Sequence, residues 1–400
     1  MRIPVASLAR VRAARDDDGV TTFELFFDLV FVFAITQVTA FMAHAGDGVG
    51  IVRGLLLLGL LWWTWGAYTW LANQARADEG LTRAGMIVAM AAMFVVALSI
   101  PEVWDDAPGG LDGPLVFVGA YVLARVVHLG VYTAAALGDE GLRRQIAITF
   151  VPMLSGAALL LAGALVGGGA QTALFAAALT VDLAGTYVTS KEGNWRIHSP
   201  THWTERHGLF IILAIGESIV AIGVGAAQRP ISVPILAGAV LGVLVSVCLW
   251  WLYFDLVSLA AEHVLLNATP AERVKIAIDA YSYLHYPLVA GIVLAALGVE
   301  EVLAHAGDTD ALGSFAAAAL AGGLALYLAG HLAFKRRLHR QLNVPRLAAA
   351  ALLVVSIPLC ATLPPLAALA LVLAVLAGLV AVEGVVHADK RRVLRAGEPV

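Results

Sequence analysis

Residues 24–39 read ELFFDLVFVFAITQVT, a run apolar enough to enter a lipid bilayer that nevertheless opens with two carboxylates, Glu24 and Asp28. Four residues apart, they stack on one face of a helix that continues through Ile35 and Thr39. An ionisable side chain at the bilayer centre costs about 3 kcal/mol on insertion scales, so such a group is expected to face protein or water. Two negative charges one turn apart also repel. Either one of them is protonated, or a cation or an arginine sits between them.

The rest of the chain belongs with this run. Hydrophobic residues make up 60% of it and charged residues 14%, with a mean hydropathy of +0.86, far more apolar than a soluble domain. The net charge of -4 offers no basic field for nucleic acid, so that class of partner is excluded. Cys248 and Cys360 lie in apolar runs and imply no disulfide framework. Crossing the hydrocarbon layer takes about 20 apolar residues. Twelve such stretches occur, near 22–44, 51–73, 84–103, 114–137, 145–166, 171–190, 207–225, 233–258, 276–298, 312–334, 346–363 and 366–387. The expected fold is an all-α polytopic membrane helix bundle of about twelve transmembrane helices. It is flanked by an N-terminal tail (1–21) and a C-terminal tail (389–400). The first tail holds an Asp16-Asp17-Asp18 run but no short apolar core with a small-residue cleavage site, so the first span is expected to be retained.

Positive charge orients the bundle, because Lys and Arg accumulate on cytoplasmic loops. With the N-terminus inside, all but Arg53, Arg125 and Arg229 of the 25 Lys and Arg fall on cytoplasmic segments. The outer loops are acidic, with Glu102, Asp105, Asp106 and Asp112 in one and Glu300, Glu301, Asp308 and Asp310 in another. Both termini are expected in the cytoplasm. A duplication is also expected, since several features recur in the same order at a nearly constant offset: Trp62-Trp63 and Trp250-Trp251, ALSIPEV (97–103) and ALGVEEV (296–302), His128 and His331, Asp182 and Glu383. Two six-helix halves, 22–200 and 201–388, would then be related by a pseudo-two-fold axis along the membrane normal.

The polar groups inside the spans are the candidate site. Arg125 and His128 share a face of the fourth span, and Asp182, Glu217, Asp255, Asp279, His285, His331 and Glu383 follow in later spans. At about 1.5 Å per residue, Arg125 and Glu217 fall near the midplane. The remaining carboxylates and His331 fall in the cytoplasmic half, so a site built from them opens inward. Arg125 is read as the one intramembrane cation that stays charged at any pH. A plain structural account competes with this: Asp255, Asp279 and Glu383 lie near headgroup water or serve as fixed partners, and His128 and His331 act as interhelical hydrogen-bond donors. Gly238 and Gly242 form a GxxxG that permits close helix approach, and the tyrosines of YSYLHY (281–286) suit an interface belt.

A second stretch, HWTERHGLFIILAIGESIVAIG (202–223), begins the seventh span. Glu205, Arg206 and His207 form its lip, and Arg206 and Glu217 lie three turns apart on one face. His198 and His202 have the spacing of one helical turn, a weak metal signal. No metal and no cofactor are expected, and GESIV lacks the second glycine of a nucleophile elbow.

At these two stretches, with WWLYFD at 250–255, the chain resembles the bacterial low temperature requirement A (LtrA) family, over about residues 20 to 390. The resemblance implies a polytopic inner-membrane protein and, for at least one member, a link to growth in the cold. It also implies that Glu24, Asp28, Glu205, Arg206, Gly216, Glu217 and Asp255 occupy signature positions. Two functional classes remain. The first is a secondary transporter of a cation, a proton-coupled solute or another small polar solute, with Asp28 or Glu217 taking the proton and Arg125 as its electrostatic partner. The second is a membrane-embedded enzyme or lipid-adaptation factor using the same groups as acids and bases, with a non-catalytic sensor as a third possibility. The lipid bilayer itself is the partner common to all of them.

Overall fold

The computed structural model describes residues 19–190 and 193–386; the Asp16-Asp17-Asp18 run and the expected C-terminal tail lie outside the described residues. Among the described residues the chain is all-helical, with twelve helices long and apolar enough to cross a membrane. These are α1 (Thr22–Ala45), α2 (Gly48–Gln74), α3 (Gly80–Glu102), α4 (Gly113–Ala135), α5 (Glu140–Val166), α6 (Gly168–Ser190), α7 (Pro200–Ala227), α8 (Val233–Asn267), α9 (Pro270–Ala304), α10 (Ser314–His339), α11 (Val344–Thr362) and α12 (Pro365–Val386). Helices are the solution because a backbone in hydrocarbon must satisfy its own hydrogen bonds.

Two compact units emerge, each considered by itself. The first comprises the described residues up to Phe41, Val52–Arg206 and Ala268–Ile278; the second comprises Met42–Ile51, His207–Asn267 and those from Asp279 on. In the first unit α5 lies along α6 and α3 along α4. In the second, α9 is the central helix, with 83% of its most apolar window buried, against 22% for α6 in the first. The exposed apolar side chains of the peripheral helices, such as Val151, Leu154, Val240 and Val355, are what a lipid-facing surface requires.

Several sequence expectations are corrected. The eighth span does not stop at 258: it turns at Asp255–Leu256 and continues to Asn267, and the ninth begins at Pro270 rather than 276. The seventh begins at Pro200, ahead of the apolar run, because Ser199 caps it: its hydroxyl accepts from the His202 N–H, and Pro200 occupies the first turn, where a missing N–H costs nothing. His198 therefore lies in the preceding loop and is not one helical turn from His202. Tyr281 is no belt residue; it is buried, stacked on His285. It belongs to a π-helical stretch of α9 (Ala277–Tyr283) just before Pro287, which has no N–H to donate to the preceding turn.

The GxxxG reading holds within the second unit. A Cβ at Gly242 would lie 2.9 Å from Ile222, and one at Gly238 would lie 2.5 Å from Leu303. A tighter seam joins α9 to α10, where a Cβ at Gly298 would lie 2.5 Å from the backbone of Leu320 and one at Gly291 the same distance from the Tyr327 backbone nitrogen. There the two backbones touch directly.

Candidate functional site

The N-terminus of α1, the C-terminal part of α2 and the N-terminus of α7 converge in the first unit. Thr21 and Glu24 form a capping box: the Thr21 hydroxyl accepts from the Glu24 N–H at 3.3 Å, and Glu24 Oε2 accepts from the Thr21 N–H at 2.8 Å and from its hydroxyl at 2.9 Å. That leaves Glu24 Oε1 pointing at α7, where His202 Nε2 lies 2.7 Å away. One turn further along both helices the pattern repeats. Arg206 grips Asp28 bidentately, Nη1 to Oδ2 at 2.6 Å and Nη2 to Oδ1 at 3.0 Å, and Trp65 Nε1 donates to the same Oδ1 at 2.9 Å. Arg206 also donates to the Glu24 carbonyl, lies 3.6 Å from the Glu24 carboxylate and sits over the Trp65 ring. Two i, i+4 pairs, Glu24/Asp28 and His202/Arg206, thus meet as two rungs. The arginine expected between the two carboxylates is Arg206.

Burial makes these contacts matter. Glu24, Asp28, His202 and Arg206 are 1%, 0%, 4% and 0% exposed. Bidentate guanidinium–carboxylate geometry recovers the most from such desolvation. The orientation of the His202 ring follows from its neighbour. Asn73 Oδ1 accepts from the His198 N–H at 2.8 Å, so Asn73 Nδ2 is the donor, to the Ser199 carbonyl at 2.8 Å and toward His202 Nδ1 at 3.3 Å. The Nε2 edge of the ring is thereby turned to Glu24. Two acids, Glu24 and Asp28, thus share one guanidinium, and Arg206 grips Asp28 more closely than Glu24. Beside it lies a cavity of about 220 Å³ whose wall includes Thr21, Glu24, Asn73, Arg76, Ser199 and His202.

The other expected site residues go elsewhere. Glu205 is exposed and accepts from the Val20 N–H at 3.2 Å. Within the first unit Arg125 is not the partner of Asp28: its guanidinium is held by Asp182 at 2.9 Å. Tyr68 and His128 pack beside that pair, with Tyr68 donating to the Ala124 carbonyl and His128 edge-on to Tyr68 and Tyr132. Nor is Arg125 the one intramembrane arginine: Arg206 and Arg346 are buried in spans as well. In the second unit Arg346 holds Glu383 at 2.7 and 2.8 Å, with Asn343 adding a third bond, and Arg337 holds Asp279 at 2.8 Å. Glu217 and Asp255 are buried there, and His207 lies against Tyr281 and His285. His331 is not the interhelical donor expected. Neither ring nitrogen is hydrogen-bonded among the described residues, and the ring packs on Tyr327 and Tyr253.

Sequence reasoning missed Trp65, Asn73 and Arg346. The first two sit in an apolar, tryptophan-rich helix where nothing marks them as polar partners. Arg346 was counted with the loop charges although Asn343, which accepts from the Arg346 N–H, starts a helix there. The Ser199-Pro200 cap and the Thr21-x-x-Glu24 box were signals that could have placed His202 and Glu24 on facing helix starts.

Fold and site together define a multi-pass, all-helical membrane protein with paired charges buried in its spans. The sequence model described as bacterial low temperature requirement A protein (LtrA) matches residues 19–381. The chain therefore belongs to the LtrA family. It is also 28% identical over 324 residues to an uncharacterized protein of Rhizobium meliloti (strain 1021), covering 78% of this chain and 76% of that one. No solved structure matches it.

Proposed function

We propose that this chain is a secondary transporter of the bacterial inner membrane, moving a small polar or cationic solute coupled to protons, with Glu24 as the proton- or cation-binding carboxylate. The observation that carries this reading is the Glu24 carboxylate at the wall of the 220 Å³ cavity, with Arg206 committed to Asp28 at 2.6 Å and lying 3.6 Å from Glu24. Asp28 suits the role less, because Arg206 and Trp65 occupy its oxygens. Arg125–Asp182 and Arg346–Glu383 are closed pairs and serve as structural clamps. The distribution of Lys and Arg supports cytoplasmic termini, which puts the Glu24 cavity on the cytoplasmic side. Recurrence of motifs supports two related six-helix halves, although the acid of each last helix finds its arginine on a different helix, α4 for Asp182 and α11 for Glu383.

The test is solute-dependent proton movement in proteoliposomes carrying an internal pH dye. Wild type is expected to respond to at least one member of a panel of amines, metal cations and small polar solutes. Glu24→Gln is expected to abolish the response, while His202→Ala reduces it at least tenfold. A folded wild type that moves no proton with any solute would defeat the reading and favour an embedded enzyme acting on a lipid-borne substrate.

A further inference from the structure

A second cavity, about 540 Å³, lies in the first unit where the end of α4 meets the start of α5, away from Glu24 and its partners. Its wall is formed by Glu140, Arg143, Arg144, Ala147 and Phe150 of α5, with Thr133 of α4 across from them. These α5 positions follow one another at helical spacing, so the groove runs along the helix from a charged mouth to an apolar floor. Arg144 and Phe150 are separated by about 9 Å along the axis at 1.5 Å per residue.

Two further facts bear on this groove. First, neither the Arg143 nor the Arg144 guanidinium contacts a carboxylate among the described residues, although Arg196 nearby holds Asp139, and both side chains are exposed. Second, the exposed face of α5 beyond them is greasy: Ile148, Val151 and Leu154 are 39%, 65% and 51% exposed. Two guanidiniums that meet no carboxylate among the described residues, at the end of a lipid-facing helix with an apolar strip directly below, complement a phosphate joined to an acyl chain. Glu140 at the mouth leaves one net positive charge, which matches a singly charged phosphodiester.

We propose that this groove is a binding site for one anionic phospholipid, its phosphate held by Arg143 and Arg144 and an acyl chain lying over Ala147, Ile148 and Val151. The site is independent of the transport reading.

The experiment uses the full chain in detergent, with its melting temperature recorded after titration with phosphatidylglycerol, phosphatidylcholine or inorganic phosphate. Native mass spectrometry counts retained lipids in parallel. Phosphatidylglycerol is expected to raise the melting temperature and remain bound as one molecule, and phosphatidylcholine is not. Each arginine is worth about 1 kcal/mol toward an anionic lipid, so R143Q and R144Q singly should each weaken binding about fivefold. The double variant should abolish the shift while melting normally in phosphatidylcholine. Equal response to both lipids, or undiminished phosphatidylglycerol retention in the single variants, would overturn the proposal. So would an equal shift from inorganic phosphate, which would mark a site for the free anion.

Discussion

At the scale of single residues, the Asp28–Arg206 pair is the most exposed to test, because each member is completely buried and Arg206 would be left with only the more distant Glu24 carboxylate if Asp28 were neutralised. Removing one partner of a buried pair costs about 3–5 kcal/mol, whereas replacing both with apolar side chains of similar volume is often close to neutral. Asp28→Asn is therefore expected to lower the thermal midpoint in detergent sharply, and Asp28→Leu with Arg206→Met to recover most of the loss. A double variant no more stable than Asp28→Asn would show that the helices are not held through this pair. Repulsion between Glu24 and Asp28 made a nearby cation one of two readings, protonation of one acid being the other. The cation's identity was not legible, because Arg206 is 178 residues away in sequence. By sequence Arg206 stands at the lip of the seventh span, because the apolar signal beginning at 207 is stronger than the helix start at Ser199-Pro200.

At the scale of elements, helix contacts inside lipid depend on how closely backbones approach, since burying apolar surface gains little against lipid tails. The α9–α10 seam supplies the sharpest case. Gly298→Ala places a methyl group 2.5 Å from the Leu320 backbone and should cost about 1–3 kcal/mol as the helices are pushed apart. Gly119→Ala in α4, where nothing lies within 4 Å of the added carbon, should be neutral or stabilise by up to about 1 kcal/mol through helix propensity. Thermal unfolding of the two variants side by side checks the contrast; equal effects would mean that the seam is not close-packed. GxxxG spacing made Gly238 and Gly242 readable in advance. Gly291 and Gly298 are seven residues apart, in a chain with 39 glycines, and carry no comparable signature. The π-helical stretch was equally silent, because it reflects how α9 accommodates Pro287 and packs Tyr281 inward.

At the scale of the whole molecule, membrane orientation is the property most open to direct measurement. The native cysteines are buried and should stay silent toward an impermeant maleimide, so single cysteines introduced at loops report their side. Asp310→Cys is expected to label in intact cells and Leu137→Cys only after the membrane is opened, both positions being exposed. The reverse pattern would invert the topology and move the Glu24 cavity to the outer face. Family membership, the all-helical class and the twelve spans were determined by sequence alone, because hydropathy is a sum over neighbours and survives any arrangement of the segments. Which carboxylate meets which arginine was decided only by tertiary structure. Asp28 could have answered to Arg125 or Arg206 by charge; the choice rests on which helix faces abut, and that is a property of packing between distant segments rather than of any one of them.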